Sequence, residues 1–127
     1  MSAGKILVVD DERELQEMLR EFLESKGYEV AVAGTGVEAL GLLPAFRPDV
    51  VLLDVRMPEM DGVETLKRLV AAHPTLPVIM ATVETEVDVA ARCLKLGAAD
   101  YVPKPFDLAY LEQAVWIQVS GARERSP

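Results

Sequence analysis

Residues 5–27 read KILVVDDERELQEMLREFLESKG, and the apolar pattern changes period once within them. Ile6 to Val9 is an unbroken apolar run between Gly4 and the pair Asp10-Asp11. A short run of this kind reads as a strand buried on both faces. From Glu12 onward Leu15, Met18, Leu19, Phe22 and Leu23 recur at i, i+3, i+4, i+7 and i+8, with polar residues between them. That is one helical stripe. Gly27 stands where the residue just past a helix C-terminus is expected. A strand that feeds straight into a helix is the unit of an α/β fold, and the rest of the chain repeats it.

Working outward, residues 28–33 form a second strand. Gly34-Thr35-Gly36 makes a turn, with Thr35 placed to cap a helix over 37–46. Pro48 precedes DVVLL (49–53), a third strand that ends at Asp54. Residues 56–62 are a loop, and Val63, Leu66, Leu69 and Val70 mark a third helix. Pro74 and Pro77 bracket the way into a fourth strand over 78–81. A helix is expected over 84–96, with Val87, Ala90, Ala91 and Leu94 inward and Gly97 as its stop. Residues 100–102 are a short strand, which Pro103 and Pro105 confine to a sheet edge. The last helix runs over 107–119, with Leu108, Leu111, Val115 and Val119 facing the sheet and Tyr110 and Trp116 off that stripe or at its margin. SGARERSP (120–127) lacks a core pattern and reads as a tail or the start of a linker, so 1–119 is the domain. Five strands alternate with five helices through short connections, which implies parallel strands and right-handed crossovers. The expected architecture is a flavodoxin-like doubly wound five-stranded parallel sheet in the order 2-1-3-4-5.

The 127 residues suit one domain, and half of them are apolar. No stretch reaches the roughly 20 apolar residues a membrane helix needs, and the N-terminus does not read as a signal peptide. A single cysteine, Cys93, excludes an intrachain disulfide and fits a cytoplasmic setting. It reads as a packing residue, and His73, in an Ala-His-Pro segment, as an exposed loop residue. The net charge of −8 argues against direct nucleic-acid binding and against an anionic membrane surface.

In a sheet of this order the functional crevice lies outside the carboxyl ends of the strands. Asp10 and Asp11 end the first strand, Asp54 the third, and Thr82 and Lys104 follow the fourth and fifth. An aspartate at a strand end is often only a turn or cap residue. Here four strand ends bring three carboxylates, a hydroxyl and an ammonium to one edge. Three close carboxylates repel one another unless a cation is present, and such oxygen ligands suit Mg²⁺. Asp54 then becomes a nucleophile able to form an acyl phosphate, with Lys104 and Thr82 on the phosphoryl oxygens.

VVDDE (8–12), LLDVRMPEMDG (52–62), Thr82 and GAADYVPKPF (97–106) resemble, in order and spacing, the receiver domains of two-component response regulators. The likeness spans about residues 5–119. It implies that a phosphohistidine on a histidine kinase or phosphotransfer protein donates its phosphoryl group to Asp54. It implies Mg²⁺ at Asp11, Asp54 and the backbone carbonyl of Arg56, with Asp10 acting through water. Lys104 and Thr82 would contact the phosphoryl group, Tyr101 would be a switch aromatic, and the Lys104-Pro105 bond would be cis. The output would be a changed face formed by helix 84–96, strand 100–102 and the last helix. That face would control an output domain or effector protein and would serve for a homodimer. The chain would be a phosphoacceptor that assists its own phosphotransfer and slow autodephosphorylation, not an enzyme on other substrates. It would be either a stand-alone receiver or the N-terminal part of a longer regulator.

Val83 stands where this family usually has Ala or Gly, and Arg56 and Glu84 stand where its members tune loss of the phosphoryl group. Opposite charges on two loops suggest an Arg56–Glu84 pair that, with Val83, shields the phosphoryl group from water. Two other classes compete on this fold. An aspartyl phosphatase typically carries a general acid two residues after its nucleophile, where this chain has Arg56. A flavin carrier needs a Ser/Thr/Gly-rich loop after the first strand, where this chain has Asp10-Asp11-Glu12.

Overall fold

A computed structural model describes residues 2–56, 61–83 and 86–125, with side chains as far as residue 121. The elements are β1 (Gly4–Val9), α1 (Arg13–Ser25), β2 (Tyr28–Ala33), α2 (Gly36–Phe46) and β3 (Val50–Asp54). There follow α3 (Gly62–Ala72), β4 (Val78–Val83), α4 (Val87–Lys95), β5 (Asp100–Lys104) and α5 (Leu108–Arg125). All strand pairings are parallel, in the order β2-β1-β3-β4-β5, as expected.

Successive side chains of a strand point to opposite faces, so a strand covered on both sides must be apolar throughout. Ile6 and Val8 pack with Val50, Leu52, Ile79 and Val102 under α1 and α5. Leu7 and Val9 pack with Val51, Leu53, Val78 and Met80 under α2, α3 and α4. The helices meet these layers with Leu19, Leu23, Leu111, Val115 and Val119 on one side and Leu43, Leu66, Leu69 and Cys93 on the other. Thr35 caps α2, its hydroxyl accepting the Glu38 N–H at 3.1 Å. Gly27 takes a φ of 94° after α1, a left-handed value that favours glycine. Lys104-Pro105 is cis. His73 caps the C-terminus of α3 and is exposed, and Cys93 is a buried free thiol.

Three expectations need correction. The inward face of α4 is Ala90 and Cys93, with Val89 and Leu96 half-buried. Val87 and Leu94 are 65 % and 41 % exposed, and Ala91 is exposed. Both stripes of this short helix are apolar, so amphipathicity does not decide between them. The small side chains of Ala90 and Cys93 allow close packing on the sheet. Secondly, β5 continues to Lys104 and includes Pro103. Only β4 pairs with this edge strand, so the missing N–H costs no ladder bond on the other side. Thirdly, α5 does not end near 119 but continues to Arg125. A helix already nucleated by packing propagates at low cost through Ala122, Arg123 and Glu124, which are good helix formers.

Candidate functional site

Asp10 follows directly on β1, and its N–H donates to the Ala33 carbonyl at 3.0 Å, so the first carboxylate is set by the β1–β2 ladder. The Glu12 N–H donates to Asp10 Oδ1 at 2.9 Å, and the Gln16 side-chain amide donates to the Asp10 carbonyl. These bonds fix the turn that presents Asp11 to solvent. Asp54 is the last residue of β3, and the Arg56 N–H donates to its Oδ1 at 3.3 Å. Lys104 is the last residue of β5 and reaches across the edge. Its Nζ lies 2.8 Å from Asp10 Oδ2 and 3.4 Å from Asp54 Oδ1.

Gly62 closes the site from below. Its N–H donates to the Val55 carbonyl at 2.9 Å. A Cβ at this position would stand 2.1 Å from the Asp54 carbonyl oxygen, so only glycine lets α3 begin this close to the strand end. Asp61 caps α3 by accepting the Glu64 N–H at 2.9 Å.

Carboxylate oxygens of Asp10, Asp11 and Asp54 lie within 4.8 Å of one another. Asp10 and Asp54 are 3 % and 7 % exposed, whereas Asp11 is open to water. Burial pushes the Asp54 carboxyl above its ordinary value. The Lys104 ammonium opposes this incompletely, and the charge of Asp10 adds to it. Burial works against the charge on Lys104, yet its hydrogen bond to Asp10 and the nearby charge of Asp54 prevail and hold its pKa up. Three carboxylates thus face one ammonium. The donors are all hard oxygens and one is solvent-facing, which fits a cation that keeps part of its water shell. These residues could hold such a metal.

Thr82 is buried at the end of β4, with its hydroxyl donating to the Val83 carbonyl at 3.4 Å and not to Asp54. Tyr101 is 37 % exposed and turned outward beside Pro103, Pro105 and Tyr110. Val83 is exposed at the rim. Arg56 is exposed too, and among the described residues its guanidinium pairs with Glu86. Glu84 lies outside the described residues, as do 57–60 of the quoted loop motif. The structure therefore gathers Asp10, Asp11, Asp54 and Lys104 and leaves Tyr101 at the surface. Sequence reading missed Gln16, Gly62 and Glu86 as parts of the site. Gly62 alone had a signal, a glycine directly after a capping aspartate and at a helix start.

A doubly wound sheet with an acid cluster and a bridging lysine at its carboxyl edge defines a class of phosphoacceptor-like domains. Residues 6–116 match the family model of the response regulator receiver domain. The chain belongs to that family, and so to the receiver domains of two-component, phosphorylation-dependent signalling. It is 45 % identical over 112 residues to the regulatory protein AtoC of Escherichia coli K12, covering 88 % of this chain and 24 % of that protein. It is 46 % identical over 107 residues to the response regulator MprA of Mycobacterium sp. strain KMS, covering 84 % of this chain and 46 % of MprA. The chain thus spans less than half the length of these curated relatives. The crystal structure of the receiver domain of NtrX from Brucella abortus superposes with a TM-score of 0.87 at 29 % identity, covering 91 % of this chain and 98 % of that one.

Proposed function

We propose that Asp54 accepts a phosphoryl group from the phosphohistidine of a histidine kinase or phosphotransfer protein. An Asp54 Oδ attacks phosphorus, the phosphorus–nitrogen bond breaks, and its electron pair stays on the departing imidazole. No proton has to leave the nucleophile, because Asp54 reacts as the carboxylate. Lys104, already bonded to Asp10 and 3.4 Å from Asp54, is placed to meet a phosphoryl oxygen. Asp10, Asp11, Asp54 and the Arg56 backbone carbonyl would hold Mg²⁺, with Asp10 acting through water. Bound Mg²⁺ supplies positive charge that offsets the phosphoryl oxygens. The observation that carries this reading is the three-carboxylate cluster in which a single ammonium bridges Asp10 and Asp54.

Thr82 and Tyr101 form the switch. In the state described here the Thr82 hydroxyl bonds to backbone and Tyr101 points outward. Phosphorylation would draw Thr82 towards the phosphoryl group and let Tyr101 turn inward, changing the face made by α4, β5 and α5. That face exposes Val87, Leu94 and Tyr110, an apolar surface suited to an effector, an output domain or a homodimer. Arg56, Val83 and Glu84 would tune the phosphoryl lifetime, Val83 by its bulk at the rim. The last turns of α5 would lead from the domain into a linker. Among the described residues no helix is long and apolar enough to cross a membrane, and we place the domain in the cytoplasm.

Incubation with Mg²⁺ and acetyl phosphate, followed by intact mass, tests the assignment. A single phosphoryl addition is expected, absent in Asp54→Asn and abolished by EDTA. Addition that persists in Asp54→Asn would sink it.

A further inference from the structure

Glu86 directly precedes α4, at the N-cap position. A carboxylate there gains from the positive end of the helix, although the shorter Ser, Thr, Asp and Asn are the usual side-chain caps. Glu86 makes no side-chain bond to the first turn, and neither does Glu12 at the same position of α1. The Glu86 Oε1 accepts from both Nε, at 2.9 Å, and Nη2 of Arg56. Its Oε2 is buried without a hydrogen-bond partner. The Glu86 side chain is 17 % exposed, whereas that of Arg56 is 72 % exposed. The carboxylate therefore leaves one buried oxygen unsatisfied while it holds an exposed guanidinium, a costly arrangement by itself. The pair joins Arg56, two residues past the end of β3, to the residue that precedes α4. Arg56 is also two residues from Asp54 and already donates its N–H to that carboxylate.

We propose that Glu86 is a positioning residue for the phosphotransfer site: it holds the Arg56 guanidinium against α4 while Asp54 is free and yields it when Asp54 is phosphorylated. The proposal rests on Asp54 being the phosphoacceptor. A phosphoryl group presents more charge than one carboxylate, and a planar guanidinium can take two of its oxygens at once, within reach of a flexible side chain rooted beside it. Glu86, once released, can cap α4, where the helix dipole favours it. The Glu86 carboxylate thus has two alternative partners, Arg56 or the first turn of α4. Occupancy of Asp54 selects between them, so the start of α4 senses phosphorylation through two side chains.

Beryllofluoride, which coordinates a carboxylate oxygen and mimics a phosphoryl group, is the probe. Calorimetric titration of the 127-residue chain in Mg²⁺ compares wild type with Glu86→Gln, which keeps the size of the side chain, and with Glu86→Ala. Both variants are expected to bind about two- to fivefold more tightly, the scale of an exposed ion pair. In an Arg56→Ala background the same substitutions should change nothing. Unchanged or weaker binding by both variants overturns the proposal, as does an equal gain without Arg56, which would mean general loosening of the loops. If wild type and Asp54→Asn alike take no beryllofluoride, the phosphoacceptor reading itself fails, and this inference with it.

Discussion

The two edges of the sheet use the same residue types to opposite ends. At the amino edge Asp49 Oδ2 accepts the Lys5 N–H at 2.7 Å, and the Asp49 N–H donates to the Lys5 carbonyl at 2.8 Å. The Lys5 ammonium reaches the Phe46 carbonyl at 3.3 Å and lies 5.5 Å from the centre of its ring. One aspartate and one lysine are each satisfied by backbone, and the edge is stitched shut. At the carboxyl edge three aspartates cluster, two of them share one lysine, and the backbone satisfies those two only in part. Charge at one end closes the β1–β3 seam, whereas at the other it is left in excess. Position relative to backbone donors, not residue type, decides which role an aspartate takes.

The largest effect should come from Lys104→Ala, which leaves the buried carboxylates unpaired. A loss of about 3 kcal/mol is expected in metal-free buffer, largely recovered with Mg²⁺, read by thermal melting with and without EDTA. A loss unaffected by Mg²⁺ would mean that Lys104 stitches its edge much as Asp49 stitches the other. Gly62→Ala sets a methyl group against the Asp54 backbone and should cost about 2 kcal/mol. Its denaturant midpoint should fall, and acetyl phosphate labelling should slow because the strand end itself is displaced. Asp49→Ala should cost about 1.5 kcal/mol, with no dependence on Mg²⁺. A metal response there would break the contrast between the edges.

Asp54→Asn is the smallest and reverses the sign. The Asp54 carboxyl is held above its ordinary value of 3.8, so the folded chain grips that proton more tightly than the unfolded chain. The associated stability is complete below 3.8 and is lost as pH rises through the raised value. At neutral pH the ionised group therefore burdens the metal-free fold. Asp54→Asn should stabilise it by on the order of 1 kcal/mol and flatten that part of the pH–stability curve. A destabilised Asp54→Asn in EDTA would show that this carboxylate is already compensated.

The sheet order and the acid cluster were legible because the change from strand to helix period marks where each strand stops. Asp10, Asp11, Asp54, Thr82 and Lys104 fall at those stops, so topology alone placed them on one edge. The rotation of α4 was not legible: Val87, Ala91 and Leu94 offer as good a stripe as Ala90 and Cys93, and tertiary packing chose between them. The partner of Arg56 depended on where α4 begins. Its start at Val87 puts Glu86 at the cap position facing Arg56, which no spacing rule announces. Gln16 is one of several polar residues between the apolar positions of α1, so its bond to Asp10 had no signature in the pattern.

The clasp of Lys104 on Asp10 joins residues 94 positions apart. During synthesis on the ribosome, β1, β2, β3 and β4 emerge before the lysine that balances the acids at their ends. A nascent chain halted before residue 104 carries the acid cluster without its cation, and lacks Leu111, Val115 and Val119 to cover one face of the sheet. Neutralisation of the edge and completion of the core therefore arrive together, late in the synthesis of this domain. A partially made receiver thus carries an unbalanced acid cluster until almost the whole domain has been built.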